Sequence, residues 1–118
     1  MSTLKADTIQ STGGGAATLT NQSASKAHVK FNGSGTIAIT GYTINVSSLT
    51  DNGTGDYTAT LTNSLAANEG MHMRTSNNYI CWESSSGAAN QMWIAIADAS
   101  GNLTDTGRCY CSVHGDLA

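Results

Sequence analysis

Two runs of strict alternation meet at a glycine- and asparagine-rich break in the middle of this chain. The stretch from Asn45 to Thr62 reads NVSSLTDNGTGDYTATLT. After its centre, Tyr57, Ala59 and Leu61 alternate with Thr58, Thr60 and Thr62. Before it, Ile44 and Val46 alternate with Thr43, Asn45 and Ser47. A period of two on both sides of a turn is the pattern of antiparallel strands with one buried face. The turn itself has a mechanism. Asn and Gly adopt positive φ at little cost, and the Asp51 carboxylate can accept from the backbone two residues on. The connection from Ser48 to Gly55 is too long for a two-residue hairpin, which leaves a looped hairpin or a crossing between two sheets.

The same reading extends along the chain. Lys26 to Phe31 places Ala27, Val29 and Phe31 on one face and Lys26, His28 and Lys30 on the other. Asn32 to Gly35 turns, Thr36 to Thr40 follows with Ile37 and Ile39 inward, and a strand begins at Tyr42 and runs to Ser47. Asn63 to Gly70 is a helical turn or a loop, too short to stand alone as a helix. Met71 and Met73 oppose His72 and Arg74. Ser76 to Asn78 turns, Tyr79 to Glu83 is a strand, and Ser84 to Gly87 is a loop. Arg108 to Val113 closes the domain with Cys109, Cys111 and Val113 inward, leaving a short tail from Gly115 to Ala118. Seven or eight short strands separated by turns predict a single-domain, all-β antiparallel sandwich of jelly-roll or related topology. With no proline in the chain, strand edges need protection from turns, charges or subunit contacts.

Residues 1–24 stand apart. Gly13 to Gly15 interrupts them, and Leu4, Ile9 and Leu19 are their only large apolar side chains besides Met1. Such a segment cannot build a core. It is expected to be an arm, ordered by a neighbouring subunit or by a larger assembly, ahead of a sandwich domain at 25–118.

Composition narrows the function. The chain has 118 residues, of which 11% are charged, with a formal charge of −3. That is too little charge for a disordered polyelectrolyte. Its five Lys and Arg residues are scattered in sequence and suggest no nucleic-acid partner. No apolar run reaches membrane-spanning length, so no membrane insertion is expected. Met1 to Ile9 is polar and does not read as a secretory signal, so release by lysis rather than by export is expected.

Each chemical candidate has a plainer alternative. Cys109 and Cys111 are two apart, which is not a metal spacing, and a bridge between strand positions i and i+2 is geometrically poor. With Cys81 they read as small buried hydrophobes, with a bridge from Cys81 to Cys109 or Cys111 as the alternative. His28, His72 and His114 have no spacing for a metal site within one subunit, and no metal or cofactor is expected. Paired catalytic carboxylates, a nucleophile elbow and a phosphate loop are all lacking, so the chain reads as non-enzymatic. Trp82 and Tyr79 are the expected ligand-binding residues, since aromatic faces stack on sugar rings; Trp93 and Tyr110 are further aromatics that could join them or serve the core. Gln91 to Ala97 is apolar on both faces, so it is expected either to be buried on both sides or to lie at a subunit contact, with Met92, Trp93, Ile94 and Ile96 as the contact residues.

A resemblance sharpens this. The segment KAHVKFNGSGTIAITGYTINVSSLTDNGTGDYTATLTNSL resembles a module that recurs in bacteriophage virion proteins, notably tail-fibre-type proteins of marine phages. The opening MSTLKADTIQSTGGGAATLTNQSASKA and the closing CYCSVHGDLA are similar to the two ends of that module. The likeness is weakest between about Asn68 and Gly107, and the chain is expected to be the module alone, without a fibre shaft. It implies a small homotrimeric tail fibre or spike, located on the virion, that contacts other virion proteins and a host-surface glycan. A capsid decoration protein and a soluble carbohydrate-binding module are the alternatives.

Overall fold

The structure, a computed structural model, describes residues 12–14, 25–65, 71–75, 79–83 and 88–114. Most of the expected arm at 1–24 lies outside these residues, as do the turn at 76–78, the loop at 84–87, the tail at 115–118 and most of the segment at 63–70.

Eight strands form among the described residues, and no helix does. They are β1 (Ser25–Asn32), β2 (Ala38–Ile39), β3 (Val46–Gly53), β4 (Asp56–Leu61), β5 (Met71–Thr75), β6 (Ile80–Glu83), β7 (Gln91–Ala97) and β8 (Cys109–His114). They make two four-stranded antiparallel sheets, ordered β2-β1-β8-β5 and β3-β4-β7-β6. The chain is an all-β sandwich. Its last strand returns beside its first, and β7 and β8, consecutive in sequence, lie inside opposite sheets.

The core is what the alternation dictates. Ala27, Val29 and Phe31 of β1 and Cys109, Cys111 and Val113 of β8 face Tyr57, Ala59 and Leu61 of β4 and Met92, Ile94 and Ile96 of β7. Apolar side chains of two inner faces interdigitate as in other sandwiches. Phe31 and Tyr57 meet edge to face, with ring centroids 5.1 Å apart. The Cys111 sulfur lies 3.7 Å from the Met71 sulfur and 3.8 Å from that of Met92. Burial pushes the Cys109 thiol up to about 12, with the nearby Cys81 adding to the shift. Burial raises the Cys81 thiol too, although that residue is only half-buried.

The centre of the chain departs from expectation. The segment Ser48–Gly53 is not a connection but the body of β3, and a two-residue loop, Thr54–Gly55, joins it to β4 with Gly53 paired to Asp56. Asp51 Oδ1 accepts from the Gly53 N–H at 2.9 Å, as its position suggests. The strand was hidden because β3 is an edge: most of its side chains are exposed on both faces, so no alternation marks it. The crossing between sheets lies earlier, at Asn45. Ile44 pairs with His28 of β1, Val46 begins β3, and Asn45 between them has φ of +55°. Its side chain holds the corner. Asn45 Oδ1 accepts from the Asn63 N–H at 2.7 Å, and Asn45 Nδ2 donates to the Asn63 carbonyl at 2.9 Å. The expected strand from Tyr42 to Ser47 is therefore a corner between two sheets. The strand expected at 36–40 shrinks to Ala38 and Ile39, and Ile39, at the sheet edge, is 39% exposed rather than buried.

One end of the sandwich is tied by Asp105. Its Oδ1 accepts from the Gly55 N–H at 2.8 Å and from the Tyr57 hydroxyl at 2.7 Å; the same hydroxyl lies 2.8 Å from the Gly33 carbonyl. Burial, then the Asp105 carboxylate, raises the Tyr57 phenol far above its ordinary value, so it stays a donor. Gly55 is required twice over: its φ is +67°, and a Cβ there would press on Ile96 O and Thr104 N.

Candidate functional site

β7 is apolar on both faces, and its two faces serve different neighbours. Met92, Ile94 and Ile96 are sealed between the sheets at 1%, 0% and 0% exposure. These three residues, expected at a subunit contact, face the opposite sheet of their own subunit and are out of a neighbour's reach. On the outer side, Ala95 and Ala97 are also buried. The register shows why. Trp82 of β6 and Asp56 of β4 flank Ala95, and Ile80 of β6 and Leu103 of the following loop flank Ala97. Taller neighbours in the same chain cover these small side chains, so no second subunit is needed to bury them.

What remains outside is a raised apolar patch. Ile80 is 52% exposed, Leu103 48% and Trp82 40%. Trp93, the fourth residue expected at the contact, is half-buried on the same side, its partner across the sheet being Thr58. Its Nε1–H donates to Gln91 Oε1 at 2.9 Å, which holds the indole in one orientation. Polar groups border the patch. Asn52 Nδ2 donates to Thr58 Oγ1 at 2.8 Å, and Asp56 Oδ1 is buried with no hydrogen-bond partner.

Leu103 owes its place to a side-chain-braced turn. Asp98 accepts from the N–H groups of Asn102 at 3.0 Å and Ser100 at 2.8 Å. These bonds, Asn102 first, hold its carboxyl below the usual carboxylate range. The turn brings Leu103 back alongside Ala97.

Tyr79 immediately precedes β6 and is 39% exposed. Alternation gives Trp82's side of the strand to Ile80 instead. Of the residues singled out in the sequence, the structure therefore brings together Trp82 and Trp93 but not Tyr79. It adds Ile80, Leu103 and Asp56. Ile80 was readable from its spacing to Trp82, whereas Leu103 sits in a polar loop with no periodic signal.

The outer face of the other sheet carries a second grouping. His28, Ser112 and His72 form one row across β1, β8 and β5, and Lys30, Tyr110 and Arg74 form the next. Lys30 Nζ lies 5.5 Å from the centre of the Tyr110 ring. His72 and His114 meet edge to face with centroids 5.2 Å apart. Cations scattered in sequence are thus gathered in space. Among the described residues no three metal-ligating side chains converge closely enough to hold an ion.

No family model, no curated protein and no solved structure matches this chain.

Proposed function

We propose that this chain is a non-catalytic structural protein of a bacteriophage virion, a small trimeric appendage of tail-fibre type that contacts a host-surface glycan. The observation that carries the contact is the patch of Ile80, Trp82, Trp93 and Leu103 on the outer face of the β3-β4-β7-β6 sheet. The Trp82 indole, left 40% exposed on the edge strand β6, offers a stacking face for a sugar ring. Exposed apolar residues grouped on one face mark interaction sites more often than scattered ones do. The resemblance to tail-fibre modules supports the virion setting, and residues 1–24 are the expected means of trimer formation or virion attachment.

Binding of the purified protein to an array of bacterial surface polysaccharides tests the glycan contact. Trp82→Ala should weaken the strongest interaction by about tenfold, the scale of one good aromatic contact. Wild-type protein that binds no polysaccharide would remove the host contact and favour a decoration role on the phage head, and Trp82→Ala protein that binds as well as wild type would move the contact away from this patch.

A further inference from the structure

The outer face of the β2-β1-β8-β5 sheet is chemically unlike the rest of the molecule. The whole chain is acidic, with a formal charge of −3, yet none of the four strands of this sheet contains an acidic residue. The described acids, Asp51, Asp56, Glu83, Asp98 and Asp105, lie in the other sheet or in the loop after β7. Lys26, Lys30 and Arg74 project from the basic sheet, as do all three histidines of the chain. Among the described residues, charge of one sign gathers there, and such a face focuses a field that draws in anions.

The face also has a receptacle. A depression of about 190 Å3 opens there, with His28 and His72 on its two sides, Ser112 between them, and Arg74 and Tyr110 at one end. Ser112 is paired with both histidines across the sheet. The backbones of β1 and β5 are therefore two strand spacings apart, about 10 Å. That leaves room for one tetrahedral group held from both sides. A neutral imidazole donates one N–H and a protonated one two, a serine hydroxyl donates one, and a guanidinium offers a planar fork. Donors from three adjacent strands thus line the depression, together with Met73 and Cys111. A carboxylate has two oxygens to offer them. A phosphate monoester has three terminal oxygens and close to two charges, and uses the arrangement more completely.

We propose that this face holds a binding site for a phosphate monoester, seated over Ser112 between His28 and His72 and clamped by Arg74. Free inorganic phosphate and a phosphorylated sugar share the chemistry. The site is independent of the tryptophan patch, which lies on the outer face of the opposite sheet.

Histidine side-chain resonances of the full-length protein test it, followed by NMR during titration with inorganic phosphate, glucose 6-phosphate, sulfate, acetate and sodium chloride at matched ionic strength. Saturable shifts of His28 and His72 are expected with both phosphates, and weaker responses with sulfate and acetate. Tighter binding of glucose 6-phosphate would identify a sugar phosphate as the ligand; equal binding would identify the phosphate group alone. His72→Gln and Arg74→Gln, both at exposed positions, should each weaken binding by about tenfold, the scale of one charge-assisted hydrogen bond. Trp82→Ala should leave it unchanged. A response no larger than that to chloride, or equal saturation by sulfate, overturns the assignment. So does binding of a DNA oligonucleotide without saturable binding of either small phosphate, which would make the face a polyanion surface instead.

Discussion

Single residues decide where this sandwich can close. Gly55 and Gly101 both have positive φ, +67° and +85°, but only Gly55 is hemmed in by backbone. Gly101→Ala should cost about 1 kcal/mol for the left-handed conformation alone. Gly55→Ala adds a clash with backbone that anchors Asp105, and should cost about 3 kcal/mol or more. Chemical denaturation of the two variants checks the ordering, and equal losses would contradict it. Cys109 makes a different prediction. With full burial and a thiol pushed up to about 12, it should resist alkylation in the native protein at neutral pH and react once the protein is unfolded. Mass-spectrometric mapping of the labelled site reads this directly. Native-state labelling of Cys109 at the rate of an exposed thiol would mean that the sandwich opens far more readily than its packing implies.

At the scale of elements, alternation was legible wherever a strand has one wet and one dry face. The inward triplets Ala27, Val29, Phe31 and Cys109, Cys111, Val113 could be read directly, and they are buried. The reading lapsed where that contrast is missing. β3 is an edge strand wet on both sides, and its polar run Ser48–Gly53 looks like a loop. β7 is dry on both sides for a reason no local pattern contains: Ile80, Trp82 and Leu103, distant in sequence, cover Ala95 and Ala97. The two candidate sites divide in the same way. Trp82 stood out as a large aromatic, but the rows joining His28 to His72 and Lys30 to Arg74 exist only through the pairing of β1 and β5 with β8. The corner at Asn45 is an element-scale device with a measurable strength. Asn45→Ala forces alanine into a left-handed conformation and removes the three side-chain bonds to Asn63, for a cost of about 2 kcal/mol. Asn45→Gly keeps the backbone at ease and should cost about 1 kcal/mol. A glycine variant no more stable than the alanine variant would show that the left-handed backbone at this corner carries no strain for alanine.

For the whole molecule, the two sheets present outer faces of opposite character, one aromatic and apolar, the other basic and rich in histidine. The core residues Met92, Ile94 and Ile96 no longer argue for association, because they are satisfied within one chain. The proposed trimer therefore rests on residues 1–24 and on what the exposed patch adds. Light scattering at micromolar concentration should give three times the 12.1 kDa chain mass, and removal of residues 1–24 should lower it. A monomer mass for the full chain would reject the trimer. The proposal that this is a virion appendage is tested most directly by immunogold electron microscopy of phage particles that carry the protein. Gold at the tail tip is the predicted result, while gold distributed over the head, or absent from intact particles, would contradict it.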